Sequence, residues 1–392
     1  MTVRHCARMA SPAILWRVMV EFLPIRLAAA PKSRLWGGDR LGHGPGIGET
    51  WVIHDENRVI GGPFAGETLG AIVARHGAAV LGTRGQVAAN GRFPLLIKLL
   101  DTRDWLSIQV HPDDRLAVEL EGAGTFGKAE AWHILAADPG ARMISGLKPG
   151  LSPDAFAAVI DRGELLEWAR FLDAVPGDTI YNRPGLIHAL GPGITLYEVQ
   201  QNSDVTYRVW DWNRPTSAAR PLHIAQSRAA AALDAAPAIT PGSGGEATAS
   251  PSARLGSAGI LPASRAGGKP DITAGAPPSG AVASDSLADV TTLPDRSRVR
   301  IGAEAYLAAG ASLLTRCAHF TLWQIGPSAA TLDPAGERFH ALTVVEGVAT
   351  VRGHGWCETL ARLESILVPA SAGPYVVSSD TGSYRALVAT VP

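Results

Sequence analysis

The chain has 392 residues, with 35 Lys plus Arg against 36 Asp plus Glu; that length holds two domains of roughly 100–200 residues, each able to bury its own core. The near-neutral balance gives no electrostatic case for nucleic acid or an anionic membrane as a partner, so any groups that hold an anion must be local. Three cysteines, Cys6, Cys317 and Cys357, have no C-x-x-C spacing, which argues against a disulfide framework or Cys-based zinc ribbon and fits a reducing cytoplasm; no apolar run reaches the ~18 residues of a membrane span.

Residues 1–21 carry an apolar run that Arg17 and Glu21 interrupt. A frayed N-terminal extension is expected there rather than a signal peptide. From Phe22 to Ala236 short β-like runs alternate with Gly and Pro: Thr50–His54, Pro94–Leu100, Trp105–His111, Ala131–Ala136, Thr195–Gln200 and Val205–Trp210. Such a pattern predicts a sandwich or barrel. Two helical pieces interrupt it at about 152–172. Ser152 and Pro153 form an N-cap and first turn, and Gly163 follows the apolar face of Phe156, Val159 and Ile160. Glu164 to Phe171 continues with Leu165, Leu166, Trp168 and Phe171, a second helix-compatible spacing. Residues 237–298 are rich in Gly, Ala, Ser and Pro, with no aromatic residue between Trp212 and Tyr306. Too little apolar area is present to offset ordering entropy, so a disordered linker is expected. Over 299–392 β patterning returns, as a second, smaller barrel.

Four separated residues in the first region suggest one metal site. Gln109 and His111, in L-S-I-Q-V-H-P-D-D, are two apart on a predicted strand and share a face. Glu130 opens the apolar run A-W-H-I-L, at the mouth of another strand. His188 closes G-D-T-I-Y-N-R-P-G-L-I-H, where Pro and Gly turn the chain into a further strand. Two imidazoles, a carboxylate and an amide oxygen suit a borderline divalent ion such as Zn²⁺. His43, His54, His76, His133 and His223 lack such context and read as structural.

The ordered blocks R-L-W-G-G-D-R-L at 34–41, G-E-T-W-V-I at 48–53, G-P-F-A-G-E-T-L at 62–69 and L-L-I-K-L-L-D at 95–101 lead into the ligand segments. They end with Y-E-V-Q-Q-N-S-D-V-T-Y-R-V-W-D-W at 197–212. Together they resemble the shorter bacterial type I phosphomannose isomerases of the cupin superfamily. The resemblance implies a mainly β fold of two cupin (jelly-roll) lobes with a small helical insertion: a catalytic lobe over 22–236 and a structural lobe over 299–392. It implies one zinc per chain held by Gln109, His111, Glu130 and His188. It implies interconversion of mannose 6-phosphate and fructose 6-phosphate in the cytoplasm, by a monomer or homodimer with a sugar phosphate as its partner.

That reaction needs polarised oxygens, a positioned base and stabilisation of a cis-enediol(ate). Arg208 resembles the family's active-site arginine, suited to holding developing negative charge. Lys128 resembles its active-site lysine, suited to proton transfer or to contact with substrate oxygens. Glu198 and Asp204 are further base candidates, and Ser107 and Lys98 resemble positions suited to the phosphate. The chain departs from longer members by a short helical insertion, by Gly127 where those carry a histidine, and by the absence of lysine from 299–392. The competing expectations are another sugar-phosphate isomerase, a non-catalytic cupin that binds a sugar phosphate, or an Fe(II) oxygenase with two histidines and one carboxylate.

Overall fold

A computed structural model describes residues 22–89, 91–215, 220–242, 299–301, 305–307 and 311–392. The first lobe runs β1 (Ala30–Gly38), β2 (Ile47–Ile53), α1 (Leu69–Ala89), β3 (Leu95–Asp101), β4 (Ile108–Val110), α2 (Asp114–Glu121), β5 (Glu130–Ala137) and β6 (Arg142–Leu147). It continues with α3 (Pro153–Asp161), α4 (Leu165–Trp168), β7 (Ala169–Asp173), β8 (Thr179–Asn182), β9 (His188–Leu190), β10 (Ile194–Gln201), β11 (Tyr207–Trp210), α5 (Ile224–Ala230) and β12 (Ala238–Thr240). A seven-stranded sheet, β1-β2-β3-β10-β5-β8-β12, faces a five-stranded sheet, β11-β4-β9-β6-β7, in the jelly-roll manner of cupins.

Strand alternation decides what each face carries. From the large sheet Leu100, Trp132, Ile134, Ile180 and Leu196 point inward to meet Met143, Leu172 and Leu190 of the small sheet. The outer face of the large sheet, with Leu95, Ile97, Tyr197 and Val199, packs under α1 and the second lobe. The outer face of the small sheet, with Ile108, Val110, Tyr207 and Val209, is covered by Phe156, Val159 and Leu165 from α3 and α4. Strand β10 is therefore buried along its whole length. Its inward positions past Leu196 are Glu198 and Gln200, so polar groups enter the barrel at one end only.

The second lobe comprises β13 (Val299–Ile301), β14 (Ala305–Leu307), β15 (Ser312–Arg316), β16 (Thr321–Ile325), β17 (Ala330–Leu332), β18 (His340–Glu346), β19 (Ala349–Gly353), β20 (Trp356–Leu360), β21 (Ser365–Val368), β22 (Tyr375–Ser378) and β23 (Arg385–Thr390). The sheets β15-β16-β23-β18-β21 and β17-β22-β19-β20 enclose a core of Trp323, Ile325, Leu342, Val351, Tyr375 and Val388. Among these apolar side chains sits one buried histidine, His340, whose Nδ1 lies 2.9 Å from the Tyr375 hydroxyl. The two lobes share one core: Phe93 and Phe339 lie with ring centroids 4.7 Å apart, and Ile25 and Leu367 exchange backbone hydrogen bonds of 2.8 and 3.0 Å.

Several elements differ from the sequence expectation. The helix expected over Glu164–Phe171 ends at Trp168, because Ala169–Asp173 pairs with β6 instead. Helix α1 was not anticipated. It opens at Thr68, whose Oγ1 accepts from the Ala71 amide, and it bends at His76 and Gly82. Gly82 has φ +74° and a Cβ there would lie 2.3 Å from the Glu337 carbonyl carbon, so glycine lets the second lobe close on the helix. Within the expected linker, Ala238–Thr240 forms β12 against β8. The expected extension over 1–21 and the remainder of that linker, 243–298, lie outside the described residues. Among the described residues no helix is long and apolar enough to cross a membrane.

Candidate metal centre

One end of the first barrel brings the four expected ligands together. Gln109 and His188 are direct cross-strand partners on β4 and β9. His111 follows β4 and Glu130 starts β5. Nitrogen and oxygen atoms of His111, Glu130 and His188 all lie within 4.8 Å of one another, and all three residues are buried. The two Nε2 atoms are 3.1 Å apart, and His188 Nε2 is 3.2 Å from Glu130 Oε1. The Gln109 amide ends 3.3 Å from His188 Nε2.

The other ring nitrogens fix the tautomers. His111 Nδ1 donates to the Val205 carbonyl at 2.9 Å and His188 Nδ1 to the Leu186 carbonyl at 2.8 Å. Both Nε2 atoms therefore present lone pairs to the same point, a pattern shared by histidines that ligate metals. Burial, reinforced by Lys128, pushes His111 down to about 3, and burial also lowers His188. Burial works against the Glu130 carboxylate, but Lys128 and the two imidazoles overcome it and hold the group well below the ordinary range. Glu130 Oε1 has no hydrogen-bond donor. Two neutral imidazoles and an ionised carboxylate, all acceptors aimed at one point, fit a divalent cation.

Lys128 lies against this group: its Nζ is 3.2 Å from His111 Nε2 and donates to Glu130. Its backbone is fixed by a 3.0 Å bond from its amide to the Pro112 carbonyl. The departure at Gly127 has a steric cause, since a Cβ there would lie 2.5 Å from the backbone of Asp113 and Asp114. A histidine does not fit at that position.

Beside the ligands, one row of inward residues crosses the large sheet: Trp51 opposite Lys98, Lys98 opposite Glu198, and Glu198 opposite Trp132. Lys98 Nζ is 3.1 Å from Glu198 and 3.8 Å from Glu49. Trp132 Nε1 donates to Glu198 and Trp51 Nε1 to Glu49, at 2.9 and 2.8 Å. Burial opposes the Lys98 charge, yet Glu198 and Glu49 hold its pKa above the usual lysine value. Burial raises the Glu198 carboxyl despite Lys98. Burial likewise disfavours ionised Glu49, but Lys98 and then Arg34 bring it to about 2. Lys98 is thus already matched by carboxylates.

Arg208 is the cross-strand partner of Gln109 on β11, on the ligand side of the small sheet. Its Nη1 donates to the Pro221 carbonyl at 3.1 Å. Ser107 is buried two residues before Gln109, while Asp204 is exposed on the turn between β10 and β11. Several supporting residues had no assigned role in the sequence. Gln200 and Asn182 flank Glu130 across strands. Gln201 accepts from the Ala129 amide at 2.9 Å and donates to Asp114 at 2.8 Å, bracing the Lys128 loop. His223 accepts from the Arg208 amide at 3.1 Å.

Fold and site together define a cupin-type β protein with a buried two-histidine, one-glutamate group suited to a divalent ion. Residues 42–130 match the family model for the catalytic domain of type I phosphomannose isomerase. The chain is 37% identical over 220 residues to a mannose-6-phosphate isomerase of Streptococcus mutans, covering 52% of this chain and 66% of that protein. It is 37% identical over 223 residues to the putative mannose-6-phosphate isomerase YvyI of Bacillus subtilis, covering 54% and 68%. The solved structure of the Bacillus subtilis mannose 6-phosphate isomerase superposes with a TM-score of 0.67 at 25% identity, over 93% of this chain and 99% of that one. The chain belongs to the type I phosphomannose isomerase family. The sequence matches span about two thirds of those two relatives.

Proposed function

We propose that this chain interconverts mannose 6-phosphate and fructose 6-phosphate, using zinc held by Gln109, His111, Glu130 and His188. The observation that carries the reading is the convergence of both imidazole Nε2 atoms and Glu130 on one point, with Lys128 in contact. When bound, zinc would supply Lewis-acid polarisation of substrate oxygens without redox change. The chain's own groups do the rest. Lys128 reaches the same point and can hold or move a proton at its Nζ. Arg208, beside Gln109, places a permanent positive charge where a cis-enediolate develops negative charge. Glu198, raised by burial and bonded to Trp132, is a carboxyl able to exchange a proton with a substrate oxygen or carbon. Asp204 remains a base candidate only if a bound substrate reaches the β10–β11 turn. Ser107, on the small-sheet side, and Lys98, on the large sheet, are proposed to face the substrate's polar groups.

A proton carried by a base between C2 and C1 of an enediolate can exchange with solvent while it is off carbon. Turnover of mannose 6-phosphate in D₂O, followed by proton NMR, should therefore put deuterium at C1 of fructose 6-phosphate or C2 of mannose 6-phosphate. Full turnover with no deuterium at either carbon under any condition would count against the enediolate route. No conversion by folded, zinc-loaded protein would overturn the assignment itself.

A further inference from the structure

The cations around the metal centre are not equally committed. Lys98 is matched by Glu198 and Glu49, and Lys128 by Glu130. Arg208 has no carboxylate partner among the described residues, and its buried Nε makes no hydrogen bond. It is laced to the segment 220–223 by three bonds: its Nη1 to Pro221, its amide to His223 Nδ1, and the His223 amide back to its carbonyl. That segment begins with Arg220. Arg220 Nε and Nη2 bind the two oxygens of buried Asp211 at 3.0 and 2.8 Å. Asp211 also accepts from Arg214 at 2.9 Å, and Arg214 has a second carboxylate partner in Asp104 at 2.7 Å. The bidentate grip fixes the plane of Arg220 and leaves its Nη1 edge without a protein acceptor among the described residues. Gln109 lies opposite Arg208 and Ile108 opposite Trp210, so the chain carrying Asp211 runs on toward Ser107. The three bonds hold Arg208 against the segment that Arg220 opens, which makes the two guanidiniums neighbours.

We propose that Arg220, oriented by Asp211, completes with Arg208 the subsite for the substrate's phosphate group. This rests on the sugar-phosphate reading above and adds a residue to it. Lys98, whose charge is spent on two carboxylates, becomes a positioning residue rather than the main phosphate partner.

The test uses the full zinc-loaded chain with Arg220→Gln and Arg220→Lys. Loss of a charge-assisted contact should raise KM for mannose 6-phosphate about 10- to 100-fold in R220Q, with a much smaller change in kcat. Binding of inorganic phosphate, measured by calorimetry, should weaken in parallel, and R220K should recover part of both. If R220Q does not fold, R220K alone must still weaken phosphate binding, because lysine loses the bidentate geometry. Unchanged KM and unchanged phosphate affinity in folded R220Q would overturn the proposal. If wild type lacks isomerase activity but binds phosphate in an Arg220-dependent way, the subsite stands and the reaction assignment falls.

Discussion

Replacing Lys98 by Met separates its structural role from any contact with substrate. Lys98 sits 3.1 Å from Glu198 and 3.8 Å from Glu49, and all three side chains are nearly inaccessible. Glu49 moves from 4.5 to about 2 through Lys98 and Arg34, against the cost of burial. A carboxyl depressed on folding adds stability above its unfolded pKa and loses it as pH falls through the folded value. The interval corresponds to roughly 3 kcal/mol at neutral pH, lost between about pH 5 and pH 2. Without Lys98, Glu49 keeps Arg34 and the Trp51 indole, and Glu198 keeps the Trp132 indole. K98M should therefore lose about 3 kcal/mol at pH 7, in line with removing one partner of a buried ion pair. Its carboxyls should now titrate higher, so the gap from wild type should narrow as pH falls from 7 toward 4. Urea unfolding at both pH values reads this directly. The double variant K98M/E198Q should regain part of the loss, because it removes one orphaned carboxylate. A loss under about 1 kcal/mol at pH 7, or a gap independent of pH, would refute the buried-pair reasoning.

Further outcomes follow from the same geometry. Glu130→Gln removes the only carboxylate among the three buried acceptors, and metal content by mass spectrometry should fall together with kcat/KM, by at least about 100-fold. Asp113→Ala removes the side chain that accepts from the Leu116 amide at 2.7 Å and caps α2. It should cost about 1 kcal/mol in thermal unfolding while zinc content stays unchanged. Gly127→Ala forces a Cβ against the backbone 2.5 Å away. It should cost about 1–3 kcal/mol and lower activity by displacing Lys128; a variant as stable and active as wild type would show the loop to be slack.

The clustering of these side chains was legible because its signals are local. Gln109 and His111 share a strand face by their spacing, and a Pro-Gly turn delivers His188 to the start of β9. The tautomers were not legible, since they depend on carbonyls of Val205 and Leu186 that only the fold brings near. Helix α1 was hidden by Gly70, Gly77, Gly82 and Gly85, which erase a helix signal, and its support comes from packing between lobes. The expected helix beyond Trp168 yielded to pairing with β6, where a long-range ladder overrides an apolar spacing that either structure satisfies. The commitment of Lys98 to Glu198 and Glu49 arises across three strands and leaves no trace in local sequence. The tie between Arg208 and 220–223 likewise joins residues that only the turn after β11 brings together.

The most direct test of the account is a coupled assay for fructose 6-phosphate formed from mannose 6-phosphate, run on purified protein before and after chelation. The account predicts activity that disappears with chelator and returns on adding Zn²⁺. Activity that persists in protein shown to be metal-free, or its absence from folded zinc-loaded protein, would contradict it.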